Sequence, residues 1–167
     1  MTMPSNRYLP AEIIEKVRME SLLEYRSLVG VDINARDERK KNALYWAIKN
    51  CNAHNAQILM EHGIDLEVSP GQHALFYAIK NNCYELIVLL VENNVDVNRM
   101  DRRGRSPLML AVEKEQFKTV CFLLRNNADL LYCDAKGSTV EDYIQKCKSP
   151  EIKDFISHVL LLENTNI

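Results

Sequence analysis

Apolar and polar positions in the central part of the chain follow a pattern that returns every 31 to 33 residues. In each repeat of the pattern, a leucine is followed three residues later by an alanine, which puts both on one face of an α-helix. The pairs are Leu44 with Ala47, Leu75 with Ala78, and Leu108 with Ala111. A second apolar cluster follows each pair and predicts a second helix. A period of this length is typical of stacked helix pairs, which bury their apolar faces against their neighbours.

An aspartate lies at the end of each repeat of the pattern. These aspartates are Asp32, Asp65, Asp96 and Asp129. Because they lie one repeat apart, we expect them to shape turns and not to form a row of catalytic carboxylates. The distance to the next leucine is twelve residues in two connections but only ten from Asp65 to Leu75. The shorter connection predicts a tight hairpin that turns at Pro70 and Gly71.

The stretch from residue 96 to residue 129 carries the complete pattern. It contains a turn at Asp101 to Gly104, a helix start at Ser106-Pro107-Leu108, the small Ala111, and apolar Val120, Leu123 and Leu124. This stretch resembles an ankyrin repeat. The resemblance implies an all-α fold, an ankyrin-type α-solenoid of helix-turn-helix repeats with short hairpin-like connecting loops. The family's loop-bonding histidine is replaced by Tyr45, Phe76 and Met109, so apolar packing is expected there.

The same resemblance implies that residues 1–167 form a single ankyrin repeat domain of five units. They are an N-terminal cap at 8–34, full repeats at 35–67, 68–98 and 99–131, and a C-terminal cap at 132–163. In the N-terminal cap, a second helix is expected to hold Met19, Leu22, Leu23 and Leu28. Residues 164–167 are expected to form a frayed tail.

Composition narrows the class of protein without naming a partner. The chain has 167 residues and a net charge of −2, so only local charge can identify a ligand. Its first ten residues contain no apolar run, and no secretory signal is expected. The longest apolar run, Leu86 to Val91, is far too short to cross a bilayer, so no membrane partner is expected. Five cysteines without a CxxC pair favour reduced thiols in an intracellular protein, cytoplasmic or alternatively nuclear.

The resemblance also implies a binding surface, because hairpin tips and inner-helix residues line a concave groove in this family. Carried onto this sequence, the groove has a positive excess, which suggests a partner protein with an acidic segment or surface. The alternative is that charged tips only keep the turns soluble. The predicted partner-binding residues are Arg39, Lys41, Trp46, Lys49, Gln72, Tyr77, Lys80, Arg102, Arg103, Arg105, Leu110, Lys114 and Lys136.

Three of these residues occupy equivalent positions in successive repeats. Trp46, Tyr77 and Leu110, if exposed, would form an aromatic and apolar ladder of the kind that makes an interaction hot spot. The alternative is that Trp46 and Tyr77 lean into the stack as core residues.

Catalytic and metal-binding patterns are weak in this sequence. Cys51 and His54 lie close in sequence, but Cys83 belongs to the next unit, so neither a metal nor a thiol site is expected. No phosphate-cradling glycine loop and no nucleophile–base arrangement is visible, and no cofactor or small-molecule substrate is expected. A pI near 6.1 argues against nucleic acid as a partner.

These observations predict a non-catalytic protein–protein interaction module that binds a partner through its concave groove and inhibits it by masking. The alternative function is an adaptor or host-directed effector that bridges two proteins, with Leu161 and Leu162 or the N-terminal cap as a second site.

Overall fold

The computed structural model describes residues 8–164, with side chains described as far as residue 162. Its helices are α1 Pro10–Arg18, α2 Ala43–Lys49, α3 Ala53–Glu61, α4 Ala74–Lys80, α5 Tyr84–Glu92, α6 Pro107–Glu113, α7 Phe117–Arg125, α8 Val140–Lys146 and α9 Pro150–Asn164, with a 3₁₀ turn at Tyr25–Leu28. Two short strands, β1 Glu67–Ser69 and β2 Gln72–His73, form one hairpin. The all-α prediction with hairpin-like connections is confirmed. Residues 165–167 of the expected tail lie outside the described residues.

The chain divides into two compact units, Met1–Leu89 and Leu90–Ile167. In the first unit, α2 packs between α1 and α4 and also contacts α3. In the second unit, α6 contacts both α7 and α8, and α9 packs on α7 and α8. Helix pairs therefore stack side by side within each unit, whereas the single domain over residues 1–167 stays a prediction.

The helices begin where the sequence supplies a cap. The side-chain oxygen of Asn42 accepts a hydrogen bond from the backbone N–H of Tyr45, which satisfies one donor at the start of α2. Ser106 does the same for Met109, with Pro107 at the first position of α6. At the start of α4 the cap is His73, whose ring nitrogen accepts from the backbone N–H of Leu75 at 3.4 Å.

The repeated leucines and alanines form the core of the stack. Leu44, Leu75 and Leu108 are at most 1% exposed, and all three alanines of the pattern are fully buried. The alanines let neighbouring helices approach closely, because any larger side chain would push them apart. The predicted packing role of both residue types is confirmed.

The repeat exits use their aspartates as turn formers. The carboxylates of Asp65 and Asp96 each accept from the backbone N–H two residues later, as do the other two. The side chain of Asn34 in turn accepts from the backbone N–H of Asp65, and Asn98 accepts from Asp129. The predicted structural role is thus confirmed.

The predicted hairpin at Pro70 and Gly71 is also present, with Gly71 at a φ of +66°.

The N-terminal cap differs from the prediction. In place of a second α-helix it has only the single 3₁₀ turn, and Met19 and Leu22 are 68% and 64% exposed. The segment is held instead by the fully buried Asn55 of α3. Its side chain accepts from the backbone N–H of Leu23 and donates to the carbonyl of Ser21. A buried amide with both sides satisfied thus fixes the irregular segment that precedes the 3₁₀ turn.

Candidate protein-binding surface

Cationic and aromatic side chains converge on the helices of the first unit. The cation–aromatic surface, as we define it, consists of Arg18, Lys41, Tyr45, Trp46, Lys49 and Tyr77. α1 supplies Arg18, and α4 supplies Tyr77; the others lie on or just before α2. Because α2 packs between these two helices, residues from the N-terminal cap and from two consecutive repeats meet on one surface.

Trp46 forms the floor of this surface and not a projecting anchor. Its side chain is only 6% exposed, and its indole N–H donates to Asp37 Oδ2 at 3.1 Å. The other carboxylate oxygen of Asp37 accepts from the backbone N–H groups of Arg39 and Lys41. Of the two alternatives for Trp46, an exposed anchor or a core residue, the structure therefore supports the core residue, whose indole N–H is bonded to the aspartate of the turn.

Tyr45 and Tyr77 extend the floor as a stacked pair. Their ring centroids are 4.4 Å apart, with an angle of 18° between the ring planes. Burial raises the pKa of Tyr77, and a hydrogen bond with Tyr45 raises it further. Burial also acts to raise the pKa of Tyr45, but hydrogen bonds with Lys41 and Tyr77 and the charge of Lys49 bring it below its usual value. Tyr45 therefore lies in a positive local field.

The two lysines of the surface rest on rings and not on carboxylates. Lys41 Nζ lies 3.9 Å from the centroid of the Tyr45 ring, and Lys49 Nζ lies 4.9 Å from that of Trp46. Among the described side chains, neither lysine forms an ion pair. Arg18 lies 5.1 Å from the Trp46 ring and 3.7 Å from Glu15. The ring faces stabilise the charges of Lys41 and Lys49 without neutralising them, so these two charges remain available to an anionic ligand.

A cleft of about 820 Å³ opens beside Trp46 in the same unit. Its apolar wall includes Leu9 and Ile14 from the N-terminal cap, and its other side is the charged turn at residues 35–39. An extended peptide could place an apolar side chain here while its carboxylates reach the neighbouring cations.

The second unit uses its equivalent cation differently. Arg105 is 7% exposed, and its Nε and Nη2 donate to Asp101 Oδ2 at 3.0 and 2.8 Å. Its Nη1 donates to Glu113. Burial opposes ionisation of Asp101, but the hydrogen bonds from Arg105 and its charge hold the pKa of that carboxyl below its usual value. The prediction of Arg105 as an accessible binding residue is wrong, because its charge is already satisfied inside the protein.

The prediction of Leu110 as an exposed binding residue is also wrong. Leu110 is 1% exposed, as part of an α6 that is apolar on almost every side. The predicted ladder of exposed side chains is therefore wrong at Trp46 and Leu110, and Tyr77 is half-buried.

The remaining predicted binding residues are accessible to solvent. Those that are exposed are Arg39, Lys49, Lys80, Arg102, Arg103, Lys114 and Lys136, while Lys41 and Gln72 are half-buried. Arg39, Lys49 and Lys80 belong to the first unit, and the others of the exposed group belong to the second. Their role in partner binding stays a prediction.

The sequence prediction overlooked Arg18, Tyr45 and Tyr143. Tyr143 donates its hydroxyl to Asp134 Oδ2 at 2.8 Å, and burial together with this hydrogen bond raises the pKa of Tyr143 to about 12. The signal was available, since Tyr143 follows Asp134 by nine residues, as Trp46 follows Asp37. No comparable offset pointed to Arg18.

Cys51 and Cys83 are joined by a disulfide, with their Cα atoms 5.5 Å apart. The prediction of reduced thiols is wrong for this pair, because the turns that follow α2 and α4 bring the two cysteines within bonding distance. Cys121, Cys133 and Cys147 are free thiols.

Two further searches cover only the described residues. No group of three or more histidine, cysteine or acidic side chains there could hold a metal ion. None of the helices within residues 8–164 is both long and apolar enough to span a membrane.

The fold defines a helical repeat protein in which helix pairs stack within each unit. The family model of ankyrin repeats, described as three repeat copies, matches residues 18–101 and 69–134, more than half of the chain. The chain belongs to the ankyrin repeat family. Ankyrin repeats mediate protein–protein interaction, and the family is typically non-catalytic.

Relatives of the chain come from viruses and from an animal. An ankyrin repeat protein of fowlpox virus is 33% identical over 90 residues, which is 52% of this chain and 14% of that protein. An ankyrin repeat protein of Acanthamoeba polyphaga mimivirus is 28% identical over 51% of this chain and 32% of its own length. The B-cell lymphoma 3 protein homolog of Mus musculus is 28% identical over 63% of this chain and 25% of its own length. The matches span no more than about a third of any of these three proteins.

Proposed function

We propose that the cation–aromatic surface of the first unit binds an acidic segment of another protein, and that occupancy masks the partner's own interaction surface. The observation that carries the proposal is the placement of Lys41 and Lys49 over aromatic rings, with no carboxylate paired to either among the described side chains. A partner carboxylate would find positive charge held in place beforehand.

Preorganisation supports this use of the surface. The Asp37–Trp46 hydrogen bond and the Tyr45–Tyr77 stack fix the floor before any ligand arrives. A floor that is already fixed limits the entropic cost of association. The cleft beside Trp46 adds apolar contact area, which charge alone does not supply.

An adaptor function is the second candidate, and an observation in the other unit favours it. Leu161 on α9 is 64% exposed and, with Ile144 and Leu160, lines a separate cleft of about 410 Å³. A protein that binds one partner through each unit would bridge the two. An intracellular setting remains part of either proposal.

A peptide titration tests the proposed function. The probe is a fluorescent peptide of alternating glutamate and leucine, and its reference is the same peptide with glutamine in place of glutamate. We expect K41Q/K49Q to weaken binding of the acidic peptide roughly tenfold, because two of the charges that face it are lost. The control K118Q/K148Q removes the same charge from exposed positions outside the surface and should leave the affinity unchanged.

Salt and reference peptide complete the test. Raising the ionic strength from about 0.05 to 0.5 M should weaken the binding of the acidic peptide to the native protein, because the Debye length shortens. Equal affinity for the glutamine peptide, or equal loss in both double variants, would contradict the proposal. A pull-down that returns one partner favours masking, whereas an assembly that is lost with L161A favours the adaptor.

A further inference from the structure

Cys51 and Cys83 lie in the turns that follow α2 and α4, at positions that differ by one residue in the register of the repeat. Cys51 follows α2 by two residues, and Cys83 follows α4 by three. Their Cα atoms are 5.5 Å apart, within the range that a disulfide spans without backbone movement. The packing of the two turns therefore places the two cysteines within disulfide range.

The two sulfur atoms differ in their access to solvent. Cys51 is exposed, whereas Cys83 is 4% exposed and its Sγ lies 3.3 Å from the carbonyl oxygen of Ile48. A disulfide sulfur has no proton to give, so in the oxidised state this is only a contact. After reduction, the Cys83 thiol can donate to that carbonyl, which provides a buried thiol with a partner.

We propose that Cys51 and Cys83 form a reversible thiol–disulfide exchange site at which low-molecular-weight thiols, such as glutathione, attack the Cys51 sulfur. Because Cys51 is exposed, its sulfur is the one open to attack. The buried Cys83 then acts as the resolving thiol that closes the bond again. Disulfides in reducing compartments are usually transient or redox-sensing, so an intracellular setting agrees with a reversible bond.

The exchange balances without any other reactant. A glutathione thiolate bonds to Cys51 Sγ, the Cys51–Cys83 bond breaks, and its electron pair leaves on Cys83 Sγ, which takes a proton from water. A second glutathione thiolate then attacks the glutathione sulfur of the mixed disulfide and releases Cys51 as a thiolate, which is protonated. Two glutathione thiols thus become one glutathione disulfide, and the protein gains two electrons and two protons. Oxidation by glutathione disulfide runs the same steps in reverse.

The bond also fixes the ends of the two helices that carry part of the cation–aromatic surface. Lys49 lies two residues before Cys51, and α4 ends at Lys80, three residues before Cys83. Opening the bond should loosen the two turns without moving the buried leucine and alanine core. This consequence concerns the helix ends themselves and is measured without any partner, so it stands or falls separately from the proposed function.

The main experiment equilibrates the folded protein with mixtures of glutathione and glutathione disulfide, followed by acid trapping, alkylation and peptide mass mapping. We expect the Cys51 and Cys83 thiols to appear and disappear together, reversibly and without unfolding by circular dichroism. Free Cys133, which is exposed, serves as the internal control and should form only a glutathione adduct. A pair that stays bonded in excess glutathione, or that never re-forms, would overturn the proposal.

Single variants test the order of attack. In C83S, Cys51 should accumulate as the glutathione adduct, because no resolving thiol remains. In C51S, Cys83 should react at least about tenfold more slowly, because burial limits access. Equal rates for the two cysteines would contradict the assignment of Cys51 as the attacked sulfur.

Hydrogen exchange tests the effect on the helix ends. The amides of Asn50 to Asn52 and of Asn81 to Cys83 should exchange roughly 3- to 10-fold faster in the reduced protein, while the exchange of Ala47 and Ala78 is unchanged. Unchanged exchange at both turns would show that the bond does not hold them and would overturn this part of the proposal.

Discussion

The turns before α2 and α6 occupy equivalent positions in their repeats, but they hold their basic side chains in opposite ways. In the first unit, Asp37 takes the indole N–H of Trp46, and Lys41 is left over the Tyr45 ring. In the second unit, Asp101 takes the guanidinium of Arg105, which Glu113 also holds. One turn thus presents its cation and the other buries it. The number of basic residues in a repeat therefore says little about the positive charge that a partner meets.

The units also differ in how their helices are held together. The first unit has the Cys51–Cys83 bond, whereas the described part of the second unit has no disulfide and relies on the Arg105 network. Each difference can be removed by one substitution.

Reduction of the Cys51–Cys83 bond is expected to have the largest effect. The bond closes a loop with a sequence separation of 32 residues, and chain-entropy estimates give such loops about 3 to 4 kcal/mol of stabilisation. Urea unfolding of the native protein with and without a reducing agent measures this difference. In C51S the reducing agent should make no difference, and a persistent effect there would assign the stabilisation elsewhere.

Removal of the Arg105 side chain should cost the second unit about 2 to 3 kcal/mol. R105A leaves Asp101 charged and largely buried without its partner, which is costlier than the loss of a surface ion pair. The free energy of unfolding, measured against the control R103A at an exposed position of the same turn, tests this. Equal stability of the two variants would mean that the network contributes no more than a surface pair.

Substitution of Trp46 by phenylalanine should cost about 1 kcal/mol. W46F keeps an aromatic floor but removes the hydrogen bond to Asp37, and a net hydrogen bond is worth about 0.5 to 1.5 kcal/mol. The matched change in the second unit is Y143F, which removes the hydroxyl donor to Asp134. If W46F unfolds the first unit outright, the ring packing and not the hydrogen bond holds the turn.

Acid should weaken the second unit through Asp101, with the smallest of these effects. The pKa of Asp101 is lower in the folded protein than its usual value, so the folded state favours the ionised form. This stability is present above the unfolded pKa of about 3.9 and is lost as the pH falls through the folded pKa. Urea midpoints between about pH 6 and 2.5 should therefore fall less steeply in D101N than in the native protein, with the exposed D154N as control. Parallel curves for D101N and the native protein would contradict this.

The periodic features were predictable from sequence because they depend on spacing. Leu44 and Ala47 repeat at helical positions, and the short connection after Asp65 could only close as a tight hairpin. Their placement depends on the local chain and on apolar burial, both of which a single sequence displays directly.

The side-chain partners were not predictable in the same way. Whether Trp46 projects or folds inward depends on Asp37, nine residues away, and the burial of Arg105 depends on Glu113, eight residues away. Such choices are settled by competing hydrogen bonds in three dimensions. The proximity of Cys51 and Cys83 could have been inferred, since their separation of 32 residues differs by only one from the repeat that relates Leu44 to Leu75.

The resonance of the Trp46 indole N–H tests the central claim most directly, because the chain contains one tryptophan and its signal needs no assignment. In a titration of the ¹⁵N-labelled protein with the glutamate–leucine peptide, this cross-peak should shift progressively and saturate with the Kd obtained from fluorescence. The shift should be lost in K41Q/K49Q and kept in K118Q/K148Q. An indole resonance that stays fixed while the peptide binds would show that the acidic ligand is recognised elsewhere on the protein.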